Sequence, residues 1–180
     1  GSTEFIFDRP GQAPLVRSID IGVVRLCERV LRSDPPSPVE IQQARDWVRS
    51  ETEAATAAMP RSSTVQFVGT AGTVTALAAM AQKLPVYEPA RIHNYTLRLD
   101  TVRELEEILL GRKKADRVGL PGLEKSREEV IAAGAIIIRT VMETLGMESV
   151  LVSDLGLREG VLIDLASRDR ELNESIERIV

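Results

Sequence analysis

The run Val65-Gln66-Phe67-Val68-Gly69-Thr70-Ala71-Gly72-Thr73-Val74 carries the strongest chemical signal in this chain. An apolar, β-branched stretch delivers the backbone to two glycines spaced by two residues, and a helical pattern leaves directly afterwards. Glycine there lets backbone N–H groups approach a ligand, and a helix N-terminus adds free donors and the positive end of its dipole. Thr70 and Thr73 could add hydroxyl donors. The same residues could equally form a tight strand-to-helix turn with Thr73 as the N-cap, and spacing alone leaves both readings open. A Walker-type loop is excluded, because it needs a lysine that is missing here.

Other candidates are single residues. Arg127 could present a guanidinium to phosphate, or be a solvated first-turn side chain. Asp154 follows a strand and precedes Gly156, which places it at a carboxyl edge of the sheet where α/β ligands bind, or makes it a turn cap. His93 reads as a loop hydrogen-bonding residue, Trp47 as a core or interface anchor, and Arg112-Lys113-Lys114 as a solvated helix C-terminus. One histidine argues against a histidine-based zinc site or triad, and one cysteine, Cys27, excludes an internal disulfide and fits a reducing compartment. The 180 residues suit one domain, and 23 basic against 27 acidic side chains give a net charge of −4. That balance points away from nucleic acid or an anionic membrane as the main partner. No apolar run approaches a membrane span, and no secretory signal opens the chain, so a cytoplasmic protein is expected.

The elements that must position these residues follow from periodicity. Residues 5–7 and 15–21, joined by Asp8-Arg9-Pro10-Gly11, predict a β-hairpin. Residues 23–32 and 39–59 predict helices, the second opened by the capping box of Ser37 and Glu40 with Pro38 at the first helical position. Residues 64–68, 94–99 and 150–152 predict strands. Residues 74–83, 101–111, 130–145 and 158–166 predict further helices, with two more capping boxes at Thr101/Glu104 and Ser126/Glu129. A charged tail over residues 167–180 is expected to fray. Strands alternating with helices indicate an α/β domain with a central mixed sheet covered by helices.

Four segments occur in order: Gly1-Ser2-Thr3-Glu4-Phe5, the Val68 to Thr75 loop, Ser126-Arg127-Glu128-Glu129 with the apolar helix behind it, and Val152-Ser153-Asp154-Leu155-Gly156-Leu157-Arg158-Glu159-Gly160. Together they resemble the second half of the exopolyphosphatase/guanosine pentaphosphate phosphohydrolase (Ppx/GppA) family over nearly the whole chain. The resemblance implies a ribonuclease-H-like domain of the actin-like ATPase superfamily, here N-terminally truncated. Residues 1–180 would be the second actin-like domain, without its partner domain. It implies a hydrolase releasing terminal phosphate from polyphosphate or guanosine pentaphosphate (pppGpp) with Mg2+. Ser2 and Thr3 would touch phosphate, and Glu4 would position metal or water as the one catalytic residue retained. Gly69, Thr70, Ala71, Gly72 and Thr73 would form a second phosphate loop. Arg127 would lie toward the substrate cleft, with Asp154 nearby. The resemblance also implies that the first domain, the catalytic glutamate and a central strand precede Gly1. The chain alone is therefore expected to be inactive, and its hairpin to pair abnormally or swap between chains. A non-catalytic phosphate or nucleotide-binding module, a dimerisation scaffold and a sugar- or acetate-kinase relative are the competing readings. A homodimer is a further expectation.

Overall fold

The computed structural model describes residues 1–60 and 65–177. Strands β1 (Thr3–Arg9) and β2 (Gln12–Ile19) form the expected hairpin, closed by a turn in which Gly11 has a φ of 73°. Its antiparallel register runs from Thr3 opposite Ile19 to Phe7 opposite Leu15, with an irregularity only at the turn. The pairing within the hairpin is regular, but the hairpin does not join the larger sheet.

Helices α1 (Val23–Arg29) and α2 (Pro38–Thr56) follow. The capping box that opens α2 is present in full: the Glu40 amide donates to Ser37 Oγ at 3.3 Å, and the Ser37 amide donates to Glu40 Oε2 at 2.7 Å. The Ser37 backbone bond, with help from Ser33, lowers the Glu40 carboxyl from its ordinary 4.5 to about 2. A depressed carboxyl contributes stability that is fully present above its unfolded pKa and is lost as pH falls through the folded one. The support for α2 is therefore complete above pH 4.5 and fades toward pH 2. Carbon-detected NMR titration of the Glu40 carboxyl should give a midpoint near the lower value, and Ser37→Ala, which keeps the amide and loses the hydroxyl, should raise it only in part.

Strand β3 (Val68–Thr70) leads into α3 (Gly72–Ala81). The short α4 (Pro89–Ile92), β4 (Thr96–Arg98), α5 (Leu99–Leu110), α6 (Ile131–Leu145), β5 (Ser149–Ser153) and α7 (Leu157–Glu177) complete the order. Of the strand expected over residues 64–68, residue 64 lies outside the described residues, as do 178–180 of the expected tail, while the helix itself extends to Glu177.

Two expected caps are not used. Helix α5 starts at Leu99, two residues before Thr101, because Leu99 goes straight from β4 into the core and its amide donates to the Glu148 carbonyl. Ser126 has a left-handed φ of 70° and closes a turn, and α6 begins at Ile131, whose amide bonds the Arg127 carbonyl at 2.9 Å.

The fold is α/β with a mixed sheet of order β3-β5-β4, β3 parallel and β4 antiparallel to the central β5, and β1-β2 a separate two-stranded sheet. A groove of about 600 Å³ lies between the hairpin and β3, walled by residues of β1, by Phe67 and Val68, and by Leu145 and Met147. Helix α6 separates two cores. Ile131, Ala132, Ala135 and Met142 join the sheet, α3 and α5, while Ala133, Ile136, Ile137 and Val141 pack with Phe5, Leu26, Ala44 and Val48. A helix covered on both sides needs apolar residues all round, which explains the unbroken apolar run in its sequence.

Candidate functional site

The carboxyl ends of the parallel strands β3 and β5 lie side by side, with Thr70 in register with Ser153. Beyond them the two loops meet: Thr70 Oγ1 donates to the Leu155 carbonyl at 2.8 Å. Gly69, Thr70, Ala71, Gly72 and Thr73 thus form a turn directly under the start of α3, as the spacing suggested. Ala71, not Thr73, is the N-cap, with φ 73° and ψ 174° and no capping side chain. This is a conformation that costs a non-glycine residue energy, and such strain is found where surrounding structure holds a site in shape. The first amides of α3 have no intrahelical acceptor and face outward with the positive end of the helix dipole.

Arg127 comes to this point from the turn before α6. Its guanidinium lies against the Cα of Gly72, so closely that a Cβ there would stand 2.5 Å from Nη1 and 2.9 Å from Nη2. Gly72 leaves the room that the arginine occupies at the helix start, and a side chain there would displace the guanidinium. Glu124 accepts the Arg127 Nε–H at 2.8 Å. Among the described residues, neither Nη group donates a hydrogen bond. Gly134 of α6 does the same service from below: a Cβ there would meet Thr73 Cγ2 at 2.6 Å and Val23 Cγ1 at 3.5 Å.

Asp154 sits at the same sheet edge. The Tyr87 hydroxyl donates to its Oδ1, and the Asp154 amide donates to His93 Nδ1 at 3.4 Å, so His93 is the loop hydrogen-bonding residue expected of it. Burial, and then the bond to Asp154, raises the Tyr87 phenol above its usual range, keeping it a neutral donor. Glu159 accepts the Gly156 amide at 2.7 Å, and this bond holds its carboxyl below the ordinary value.

The N-terminal candidates are placed differently. Thr3 Oγ1 donates to the Ile21 carbonyl at 2.8 Å, and Glu4 accepts from Ser18 Oγ at 3.0 Å across the hairpin. Ser2 is exposed. Gly1 packs on Gly22, and Val23 after it touches Gly134, whose other neighbour is Thr73. The N-terminal segment therefore lies beside α1, two contacts from the glycine turn. No bond joins Ser2, Thr3 or Glu4 to Gly69–Thr73 among the described residues.

No three of His, Cys, Asp and Glu converge to hold a metal ion among the described residues. Glu4, Asp154 and Glu159 each serve a different local partner. These residues do not by themselves fit a magnesium ion.

Sequence reasoning missed Glu124, Tyr87 and Gly134. Glu124 at three residues before Arg127 is a visible spacing, but Tyr87 and Gly134 are brought in only by the tertiary path. What the site offers is a cationic, donor-rich end of a helix with fixed geometry, suited to the oxygens of an anion such as phosphate. No helix among the described residues is long and apolar enough to cross a membrane.

The sequence matches, over residues 1–169, the model of the Ppx/GppA phosphatase family. It is 36% identical over 172 residues to Exopolyphosphatase 2 of Mycobacterium tuberculosis, covering 92% of this chain and 53% of that protein. Exopolyphosphatase 1 of the same organism is 27% identical over 164 residues, covering 91% and 47%. The structure superposes on the crystal structure of the Aquifex aeolicus Ppx/GppA family member with a TM-score of 0.85 and 28% identity, covering 94% of this chain and 54% of that one. The chain thus spans about half the length of the curated relatives it matches.

Proposed function

This chain belongs to the Ppx/GppA phosphatase family, and on that premise we propose that it forms one wall of a cleft that hydrolyses the terminal phosphoanhydride of polyphosphate or pppGpp. The observation that supports the reading is the Arg127 guanidinium lying over Gly72 at the amide-rich start of α3. Phosphoryl transfer asks a protein mainly to position the phosphate chain and to stabilise spreading negative charge. The α3 amides and the fork of Arg127 do both, and they are preset, so little reorganisation accompanies binding. Asp154, held by Tyr87, sits at the edge of this wall. On this reading Ser2, Thr3 and Glu4, at the start of the neighbouring hairpin, are the remnant of a further phosphate loop.

The rest of the chemistry belongs to the whole protein, of which the matched relatives are about twice this chain's length. On this reading the water-activating carboxylate and most ligands for Mg2+ come from outside these residues, and the chain alone does not turn over. A cytoplasmic setting is part of this reading, since a single cysteine fits a reducing compartment. A dimerisation role is favoured by one separate observation: Leu157, Leu162 and Ile163 of α7 are 85%, 67% and 62% exposed, an apolar surface available to a second copy or to the remainder of the protein.

The test is phosphate release with magnesium from polyphosphate and from pppGpp, by this chain and by the protein extended upstream. Release by the longer protein and none by this one is expected, and the faster substrate identifies the physiological class. Silence from both, with pppGpp still bound, would replace the hydrolase reading with a binding module.

A further inference from the structure

Resting on the phosphate-loop reading above, we infer that Glu124 is a positioning residue that aims Arg127 at the phosphate. A free arginine side chain at the surface samples many rotamers and loses that freedom on binding. Arg127 is not free in this way, because Glu124 Oε2 accepts its Nε–H at 2.8 Å. The bond uses the Nε–H of the guanidinium and leaves Nη1 and Nη2 beside Gly72, the first residue of α3. A two-pronged donor fixed beside a helix N-terminus matches two oxygens of one phosphate.

Both side chains are partly open to water, Arg127 at 34% and Glu124 at 40%, so the pair is not a buried structural bridge. Its backbone frame is nonetheless fixed. The Arg127 amide donates to the Glu124 carbonyl at 3.3 Å, and the Arg127 carbonyl accepts the amides of Val130 and Ile131 at the head of α6. Ser126, at a φ of 70°, makes the turn that points Arg127 back toward α3. The opposite role for Glu124, a carboxylate that occupies the arginine and competes with phosphate, predicts the reverse sign for its removal.

Two readouts on this chain separate these roles. In the free protein, the Arg127 Nε–Hε NMR signal should be sharp and slow to exchange in wild type and in Glu124→Gln, which keeps an acceptor oxygen. In Glu124→Ala it should broaden or exchange rapidly. Titration with inorganic tripolyphosphate should show affinity falling about tenfold in Glu124→Ala, the scale of one charge-assisted hydrogen bond, with most of it recovered in Glu124→Gln. Tighter binding in both variants would overturn positioning in favour of competition. An unchanged Nε–Hε signal and unchanged affinity in Glu124→Ala would overturn it outright. Failure of wild type to bind tripolyphosphate, with the Nε–Hε signal behaving as expected, would instead remove the phosphate-loop reading, and the positioning role with it.

Discussion

Replacing Glu106 with alanine should destabilise the fold by about 3 kcal/mol, measured as a fall in the urea midpoint at unchanged slope. Glu106 of α5 is fully buried, yet its Oε2 accepts from Arg45 Nη2 of α2 at 2.7 Å and from Arg139 Nη1 of α6. One carboxylate thus joins three helices. Arg139 continues the chain of charges to Glu143, which also accepts from Arg103 at 3.0 Å. Burial opposes the charge on Arg139, but its bonds to Glu106 and Glu143 outweigh that and raise its pKa; burial likewise opposes the charge on Glu143, whose arginine partners lower its pKa. Removing Glu106 leaves the mostly buried Arg45 without its carboxylate and Arg139 with Glu143 alone, and a buried charge stripped of its partner is among the costliest changes a core can suffer. Glu106→Leu combined with Arg45→Met and Arg139→Leu should recover most of the loss, since well-packed apolar groups can replace a buried ionic cluster. The network is also imperfect: Glu106 Oε1, Arg45 Nε and Thr140 Oγ1 are buried without a partner among the described residues. If Glu106→Ala cost less than about 1 kcal/mol, the level of an exposed pair, the cluster would not be what ties α5 to α2 and α6.

Gly122→Ala should cost about 3 kcal/mol and also weaken tripolyphosphate binding. A Cβ at Gly122 would stand 2.3 Å from the Ala79 carbonyl oxygen, 2.4 Å from its carbon and 2.5 Å from the Met80 nitrogen. These are backbone atoms of α3 and cannot swing aside as a side chain would. Its φ of 82° adds the strain of a left-handed conformation, about 1–2 kcal/mol for a residue with a Cβ. Forcing extra volume into a packed contact adds a similar 1–3 kcal/mol. The loop must therefore move off α3, and it carries Glu124 and Arg127 only two and five residues further on. Urea unfolding reads the first effect and tripolyphosphate titration the second. Gly119→Ala, where a Cβ would meet nothing within 4 Å at a similar φ of 78°, is the control that isolates backbone strain from steric contact. A stability loss equal at the two positions would mean that the close approach to α3 contributes nothing.

Much of the fold was legible because it is decided locally. Alternation and a Pro/Gly turn gave the hairpin, and three-and-four spacing gave the helices. Ser37, Pro38 and Glu40 marked a start that the structure keeps, because the two reciprocal bonds of the box lie within one turn. Thr101 and Ser126 carry the same local pattern and do not cap. At Leu99 a tertiary acceptor, the Glu148 carbonyl, replaces the cap, and at Ser126 the left-handed backbone turns the chain toward α3 instead. Capping energies of about 1 kcal/mol yield readily to core burial of that size or larger.

The sequence by itself determined the family and the glycine turn, because ordered motifs and a strand–glycine–helix run are properties of contiguous residues. It also marked residues 130–138 as the most apolar helical stretch, the part of α6 that the structure packs into both cores. Only the tertiary structure decided which residues face that turn. Arg127 reaches Gly72 from 55 positions away, Tyr87 reaches Asp154 across 67, and Glu4 pairs with Ser18 instead of joining the loop. Such meetings depend on how α3, α5 and α6 pack, on Gly122 letting its loop touch the α3 backbone and on Gly134 making room for Thr73 and Val23, and no local spacing encodes them. The split between the hairpin sheet and the three-stranded sheet is of the same kind: each strand is written locally, but strand order is set by which edges the packed helices bring together.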